Sequence, residues 1–353
     1  MKKTYCLIVK TLLIIVLFVM IIILKINQKD KDDLFVSTLF NNVLISARSA
    51  VVMEASTGRL LFEKNANIRL LTASIAKILS CIVAIENIDI ERYVIIDEIV
   101  LQATGSSIYL KIGDVFQIRD LLYGMMLQSG NDASLVVAKS YSGNIQDFII
   151  KMNELVTKIG MHNSSFENPT GLDETSKNYS SAYDMALLMA YAMRNKTFRT
   201  IVSSKTYRFQ NVDNKYFAFR NKHRMVLEDS DVIGGKTGYT KKAGRTLVTY
   251  FKQNHMELIV VTFDAANDWK LHRDLANKAY EQYEMHLLLT PFTFQMSTLL
   301  LPYKLKLNKS VYYPLKKEEE VDIIITYNNK DCYLKVLKKG QVITKFILEL
   351  KKG

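Results

Sequence analysis

The sequence of 353 residues has few of the residues that build disulfide frameworks or metal centres. Its three cysteines, Cys6, Cys81 and Cys332, form no even, closely spaced framework, so we predict no structural disulfide. Its five histidines show no metal-ligand spacing, which argues against zinc peptidase chemistry and predicts a protein without a metal or other cofactor. The sequence also contains no internal repeat and no low-complexity tract.

Composition and charge place the chain among folded globular proteins. The hydrophobic fraction is 49% and the charged fraction is 23%, so disorder is not expected. At 353 residues the chain has room for one large domain or two unequal ones. The net charge of +12 would suit nucleic acid, a membrane surface or another polyanion, and the N-terminus decides among these partners.

The first residues, 1–27, are typical of a membrane-targeting segment. Basic residues precede an apolar run from Leu12 to Leu24, whose thirteen residues match the core of a signal peptide. Counting back to Tyr5 gives twenty residues with one charge, enough for a membrane span if Lys10 extends to the interface. No small-x-small cleavage site follows, so an uncleaved signal anchor is favoured over a cleaved signal peptide.

Either form of this segment directs the rest of the chain out of the cytoplasm. An anchor places it on the extracytoplasmic face of the cell membrane, whereas a cleaved leader makes it a secreted protein. Residues 28–44 are then a linker. Export excludes nucleic acid as the expected partner, so the excess positive charge is expected to face anionic lipid or an anionic cell wall.

Residues 45–290 are predicted to form one domain with a helical insertion in an antiparallel sheet. Two short strands surround a turn at Gly58, and residues 93 to about 200 have helical periodicity. A closing helix is predicted over 269–289. Together these patterns predict an α/β protein of the α+β type, with helices flanking the sheet. After the insertion, strands are predicted over 231–238, 245–252 and 256–264.

The last part of the chain, 291–353, is predicted to form a small all-β domain. Pro291 and Pro302 mark the change, and three strand-like segments separated by turns follow. No amphipathic helix follows the acidic run at 318–320, so any membrane anchor is expected at the N-terminus.

The stretch 72–86, TASIAKILSCIVAIE, combines an apolar helix with one lysine. Its apolar residues leave no polar face, which predicts a helix in the core of a large domain. Ser74 and Lys77 stand at i and i+3 and share one face of that helix. A buried lysine has a lowered pKa, and a neutral amine beside a hydroxyl is a base beside a nucleophile. The alternative is a lysine whose amine extends to the surface.

Two further short strings accompany this pair in the order of the chain. Ser129-Gly130-Asn131 lies between two predicted helices, and Lys236-Thr237-Gly238 lies on a predicted strand. With Ser74-x-x-Lys77, the set resembles the active-site serine family of penicillin-recognising proteins, which includes D,D-peptidases and serine β-lactamases. That resemblance implies a β-lactamase/D,D-peptidase-like fold for residues 45–290. A second S-G-N string, at 142–144, is interpreted as a plain turn between helices.

Longer stretches narrow the resemblance to low-molecular-mass D-alanyl-D-alanine carboxypeptidases, serine peptidases of family S11. One stretch resembles the branch of that family from spore-forming Gram-positive bacteria, namely VTFDAANDWKLH. The stretches that carry the wider resemblance are SAVVMEASTGRLLFEKNAN, SSIYLKIGD, MLQSGNDAS, FENPTGLD, YSSAYDMALLMAYAM and GGKTGYTKKAGRTLV.

The resemblance implies a role for each residue of the first two motifs. Ser74 would attack the carbonyl carbon of the penultimate D-alanine, and Lys77 would accept its proton. Ser129 would relay a proton to the leaving amine. Asn131, with an amide donor and an acceptor, would hold a peptide carbonyl of the substrate.

The third motif is expected to bind the C-terminal end of the substrate. Lys236 and Thr237 would bind the free carboxylate, and Gly238 would let the substrate backbone lie against the strand edge. Tyr239 would supply a backbone N–H of the oxyanion hole, together with that of Ser74. A further carboxylate contact is expected from Arg273 or His272.

The implied activity is removal of the terminal D-alanine from peptidoglycan pentapeptide stems, with β-lactams as acylating inhibitors. The biological role is either vegetative wall maturation or modification of the spore cortex, and the spore role is favoured. One rival is a β-lactamase, but Glu167 is followed by Asn168-Pro169-Thr170 instead of the deacylation pattern E-x-x-L-N. The second rival, a silent wall-binding or penicillin-sensing module, has no chemical need for the Ser74 and Lys77 pair.

Overall fold

The computed structural model describes residue 43 and residues 45–298, 301–307, 309–327 and 332–352. The predicted anchor over 1–27 and most of the linker lie outside these residues. Among the described residues, no helix combines the length and the apolar character needed to cross a membrane.

The strands of the described residues are numbered in chain order. They are β1 (Ala47–Glu54), β2 (Leu60–Lys64), β3 (Leu70–Leu71), β4 (Tyr93–Ile95), β5 (Val115–Gln117), β6 (Tyr179–Ser180), β7 (Thr206–Gln210), β8 (Tyr216–Arg220), β9 (Val232–Thr240), β10 (Gly244–Gln253), β11 (Met256–Ala265), β12 (Tyr283–Leu289), β13 (Phe292–Thr298), β14 (Leu301–Leu307), β15 (Val311–Lys316), β16 (Asp322–Tyr327), β17 (Cys332–Lys338) and β18 (Gln341–Lys352).

The helices carry separate numbers. They are α1 (Lys77–Asn87), α2 (Ile118–Leu127), α3 (Asn131–Ser142), α4 (Ile145–Ile159), α5 (Ala182–Ala192), α6 (Lys196–Ser203), α7 (Arg224–Glu228) and α8 (Asp268–Gln282), and two 3-10 turns cover Ala73–Ala76 and Glu98–Gln102.

A central antiparallel sheet organises the larger part of the molecule. Its order is β2-β1-β11-β10-β9, so the first strand β1 lies beside the last strand β11, and helices α1 to α7 are inserted between them in the chain. Helix α5 packs on one face, and α8 packs on β10, β11 and β1. The predicted α+β architecture with a helical insertion is therefore confirmed.

Helix α1 lies at the centre of the helical region. Helices α2, α3, α4, α5 and α6 all pack against it, and the residues Lys77 through Ala84 are buried. Contact on every side explains why its sequence lacks a polar face. The predicted helix over 72–86 begins later than expected, because Ala73–Ala76 forms a 3-10 turn.

The predicted closing helix over 269–289 was wrong for residues 283–289. The helix ends at Gln282, and Tyr283 is already extended, with φ −126° and ψ 143°. Residues of β12 then pair antiparallel with β15. A distant strand partner, which local periodicity does not contain, decides the conformation here.

The C-terminal residues form strands, as predicted, in a sheet of order β13-β14-β18-β17-β16. Arg59 connects this part to the central sheet: its guanidinium donates to the Pro314 carbonyl oxygen and pairs with Glu319 at 2.6 Å. The same guanidinium lies over the rings of Tyr283 and Tyr313, at 5.3 and 5.1 Å from the centroids. Burial opposes ionisation of Glu319, but hydrogen bonds from Arg59 and Lys338 lower its pKa to about 2.

Candidate active site

Ser74 lies in the 3-10 turn that leads into α1, held between two glycine backbones. A Cβ on Gly171 would lie 1.9 Å from the Ala73 carbonyl oxygen, and a Cβ on Gly238 would lie 2.8 Å from the Ser74 nitrogen. Ala73 itself has a left-handed φ of 46°. Only residues without side chains allow both segments to approach the serine this closely.

Lys77, the first residue of α1, is fully buried and directed at Ser74. Its Nζ lies 3.1 Å from Ser74 Oγ, 2.6 Å from Asn131 Oδ1 and 2.5 Å from the Thr170 carbonyl oxygen. Burial lowers the pKa of Lys77 well below its usual value, and the nearby Lys236 lowers it further. A neutral amine keeps two N–H donors and has a lone pair for the Ser74 hydroxyl proton.

Ser129 and Asn131 occupy the junction between α2 and α3. Ser129 is buried in a left-handed conformation, with φ 64°, and its hydroxyl accepts a hydrogen bond from Lys236 Nζ at 3.0 Å. Asn131 is the first residue of α3, and its Nδ2 donates to the Thr104 carbonyl oxygen at 2.5 Å. The amide group of Asn131 is thereby oriented with its oxygen toward Lys77.

Lys236 faces Ser129 from strand β9, at the edge of the central sheet. Its Nζ also donates to the Thr237 carbonyl oxygen at 2.8 Å. Burial, and then the positive charge of Lys222, lower the pKa of Lys236 to about 7. Beyond it, Thr237 and Gly238 are half-buried and Tyr239 is 65% exposed, so this end of the edge strand is accessible to a ligand.

The lowered pKa of Lys236 predicts a pH dependence of stability. Between pH 7 and about 10.5 the unfolded chain binds a proton that folded Lys236 has lost, so the free energy of unfolding rises with pH. We expect the free energy of unfolding of wild type, minus that of Lys236→Met, to rise by up to about 1.4 kcal/mol per pH unit in this window. Urea unfolding at pH 7, 8 and 9 measures it, with exposed Lys317→Met as control. Parallel curves for wild type and Lys236→Met would contradict the assignment.

Lys222 is a residue of this region that the sequence motifs did not identify. It is exposed, and its charge lowers the pKa of both Lys77 and Lys236. Its backbone N–H donates to the Leu127 carbonyl oxygen at 2.9 Å, two residues before Ser129. This contact joins segments far apart in sequence, so no local spacing could have indicated it.

The expected contact from Arg273 or His272 to a substrate carboxylate is not supported by the structure. His272 is fully buried, with its ring nitrogens 2.8 Å from Thr249 Oγ1 and 2.9 Å from Thr262 Oγ1. Arg273 forms ion pairs with Asp229 and Asp231. Both side chains are therefore already occupied within the protein.

The remaining sequence interpretations concern Glu167 and the second S-G-N string. Glu167 is exposed, and its carboxylate accepts the backbone N–H of Lys177 at 2.7 Å, whereas the Thr170 carbonyl oxygen is the neighbour of Lys77. Gly143, with φ 89°, ends α3, and Asn144 caps α4. The string at 142–144 is thus an inter-helix turn, as predicted.

Comparisons with known proteins find relatives that match most of this chain. A family model described as Peptidase S11, D-alanyl-D-alanine carboxypeptidase, matches residues 37–267. The chain is 32% identical over 287 residues to the D-alanyl-D-alanine carboxypeptidase DacF of Bacillus subtilis, covering 79% of this chain and 72% of that protein.

Solved structures show the same similarity in three dimensions. The D-alanyl-D-alanine carboxypeptidase of Mycobacterium tuberculosis superposes with a TM-score of 0.64 at 26% identity, covering 68% of this chain and 94% of the other. The carboxypeptidase DacD of Francisella tularensis gives a TM-score of 0.67 at 22% identity, covering 88% of this chain and 95% of the other, which shows a shared fold.

Proposed function

Because the chain belongs to the S11 family of D-alanyl-D-alanine carboxypeptidases, we propose that it removes the terminal D-alanine from peptidoglycan pentapeptide stems through an acyl-enzyme on Ser74. One observation carries this proposal. The fully buried amine of Lys77, whose pKa is lowered, lies 3.1 Å from the hydroxyl of Ser74 in the turn before α1. That is the arrangement of an activated nucleophile.

The steps follow from the positions of the four polar side chains. Ser74 Oγ attacks the carbonyl carbon of the penultimate D-alanine while Lys77 accepts the hydroxyl proton. The C–N bond breaks, a proton relayed through Ser129 reaches the leaving amine, and D-alanine departs. Water then attacks the ester, which releases the shortened stem and returns a proton to Ser74 Oγ. The charge of Lys236 beside Ser129 lowers the cost of the relay.

Two interactions are proposed to orient the substrate: cationic side chains attract its C-terminal carboxylate, and strand β9 contacts its peptide backbone. The C-terminal carboxylate faces the positive charges of Lys236 and Lys222, next to the Thr237 hydroxyl. The peptide backbone lies along Gly238, where the backbone N–H groups of Ser74 and Tyr239 form the oxyanion hole. The close approach of Gly238 to the Ser74 nitrogen supports this arrangement.

Lys222 gives this arrangement a test. We expect Lys222→Met to raise KM for a D-Ala-D-Ala peptide by about tenfold with a smaller change in kcat, because an exposed cation contributes mainly to attraction of the carboxylate. The effect should shrink at high salt, which screens exposed charges. Steady-state release of D-alanine at low and high salt measures both effects. Lys317→Met, another exposed lysine, should behave as wild type, and an unchanged KM in Lys222→Met would exclude this role.

Penicillin is proposed to acylate the same serine, and the resulting penicilloyl ester is proposed to be hydrolysed slowly. A β-lactamase activates water with a carboxylate beside its acyl-enzyme, and Glu167 is instead exposed and bonded to the Lys177 backbone. We therefore expect a long-lived adduct.

The proposed location is the extracytoplasmic face of the cell membrane, with the segment 1–27 as anchor. Its support is the basic and then apolar sequence of that segment. A role in the spore cortex, with vegetative wall maturation as the alternative, is proposed from the resemblance of VTFDAANDWKLH to proteins of spore-forming bacteria. The timing of expression relative to sporulation separates the two roles.

The direct test of the activity is incubation of the full chain with a synthetic stem pentapeptide. We expect stoichiometric appearance of D-alanine and a tetrapeptide product by mass spectrometry. Hydrolysis of an internal peptide bond into two shorter peptides would overturn the proposed function in favour of an endopeptidase. No release of D-alanine, together with rapid hydrolysis of benzylpenicillin, would overturn it in favour of a β-lactamase.

A further inference from the structure

The segment 104–110, which overlaps the start of the motif SSIYLKIGD, borders the candidate active site. The Asn131 backbone N–H donates to the Ser106 carbonyl oxygen at 2.7 Å, and its side chain donates to the Thr104 carbonyl oxygen at 2.5 Å. A Cβ on Gly105 would lie 3.3 Å from Asn131 Nδ2. This segment therefore forms the wall of the site beside Asn131.

The wall is held rigidly by one buried carboxylate. Asp132 accepts hydrogen bonds from Ser107 Oγ at 2.6 Å and from the backbone N–H groups of Ile108 and Leu110, both at 3.1 Å. Ile108 is buried, and its side chain lies where a Cβ on Gly124 or Gly130 would be. The residues on both sides of Tyr109 are thus fixed in place.

Tyr109 itself combines backbone strain with exposure. Its φ of 62° is left-handed, a conformation that a residue with a bulky side chain rarely adopts, and its N–H is fixed by Ser107 Oγ at 2.9 Å. The residue is 83% exposed. Packing within the protein therefore does not compensate for the strain, and strained residues beside a reactive centre often serve ligand binding.

We propose that Tyr109 determines substrate specificity by packing its ring against the side chain of the diamino acid that precedes D-Ala-D-Ala. This inference rests on the proposed function. With the C-terminal carboxylate at Lys236 and Lys222 and a substrate carbonyl at Asn131, the residues preceding the scissile bond would lie beside the wall, because Asn131 is hydrogen-bonded to it. The methylene groups of a diamino acid side chain can pack on the face of the Tyr109 ring, and its ammonium can form a cation–π contact with that ring.

The experiment compares two substrates that differ only in that side chain. D-Alanine release is measured from acetyl-L-Lys-D-Ala-D-Ala and acetyl-L-Ala-D-Ala-D-Ala by wild type and Tyr109→Asn, since Asn adopts the left-handed conformation readily. We expect wild type to prefer the lysine peptide, and Tyr109→Asn to lose about tenfold of that preference through KM. The rate on the alanine peptide should stay unchanged.

Two variants separate specificity from folding. Tyr109→Phe keeps the ring and should keep the preference, and Tyr216→Asn, which replaces an equally exposed tyrosine on β8, should match wild type. An unchanged preference in Tyr109→Asn, or an equal loss on both peptides, would overturn the inference and leave the proposed function intact. Failure of wild type to release D-alanine from either peptide would overturn the proposed function, and this inference with it.

Discussion

Lys77→Met is expected to reduce acylation of the protein by benzylpenicillin by about a thousandfold. Methionine has nearly the same length as lysine and is readily buried, so the substitution removes the base with little change of shape. The pKa of Lys77 is lowered by burial and then by Lys236, which favours the neutral amine that can accept a proton. Its Nζ is 3.1 Å from Ser74 Oγ, within reach of the proton to be transferred.

The measurement is the rate at which a fluorescent penicillin labels each variant. Thermal unfolding must accompany it, because Lys77→Met leaves the Asn131 amide oxygen and the Thr170 carbonyl oxygen without their donor. Lys139→Met, which removes a lysine paired with Asp97 at 2.5 Å on the surface of α3, is the control and should label at the wild-type rate. Labelling of Lys77→Met within tenfold of wild type would show that another group accepts the proton.

Gly171→Ala is expected to be the most disruptive single-methyl substitution near the site. The added Cβ would lie 1.9 Å from the Ala73 carbonyl oxygen, and the residue has a left-handed φ of 86°. Backbone atoms cannot yield as a flexible side chain can, so the segment carrying Ser74 must move. Since small displacements at a reacting centre lower rates strongly, we expect at least a hundredfold loss of acylation, or misfolding.

Gly113 offers a matched control for this substitution. Its φ is 89°, but a Cβ there would meet nothing within 4 Å, so Gly113→Ala carries the backbone strain without the collision. Acylation rate and melting temperature are compared for both variants. If Gly113→Ala and Gly171→Ala lose equal activity, the loss comes from backbone strain and not from displacement of Ser74.

The sequence motifs predicted the residues that the structure brings together, because the residues within each motif are held close by a single helix turn, a short inter-helix junction or one strand. Ser74 and Lys77 are close through helical spacing alone, and Ser129 and Asn131 occupy a short junction between helices. The position of Lys236 beside Ser129 could not be derived from spacing, since it depends on how β9 docks against the helices. The family resemblance implied that the three motifs belong to one active site.

Other features depend on contacts between distant segments. Lys222 approaches the site through a backbone hydrogen bond to Leu127, and β12 forms because β15 is available to pair with it. The strained conformation of Tyr109 follows from the three hydrogen bonds that Asp132 accepts from its neighbours. Such features have no signal in a single local stretch of sequence.

Ser74 is proposed as the nucleophile of a slowly deacylating enzyme. Peptide mass spectrometry of the full chain after incubation with benzylpenicillin tests this role. We expect a penicilloyl adduct on the peptide containing Ser74, stable over many minutes and absent from Ser74→Ala. An adduct on Ser129 or Ser142, or penicillin turnover with no accumulated adduct, would contradict it.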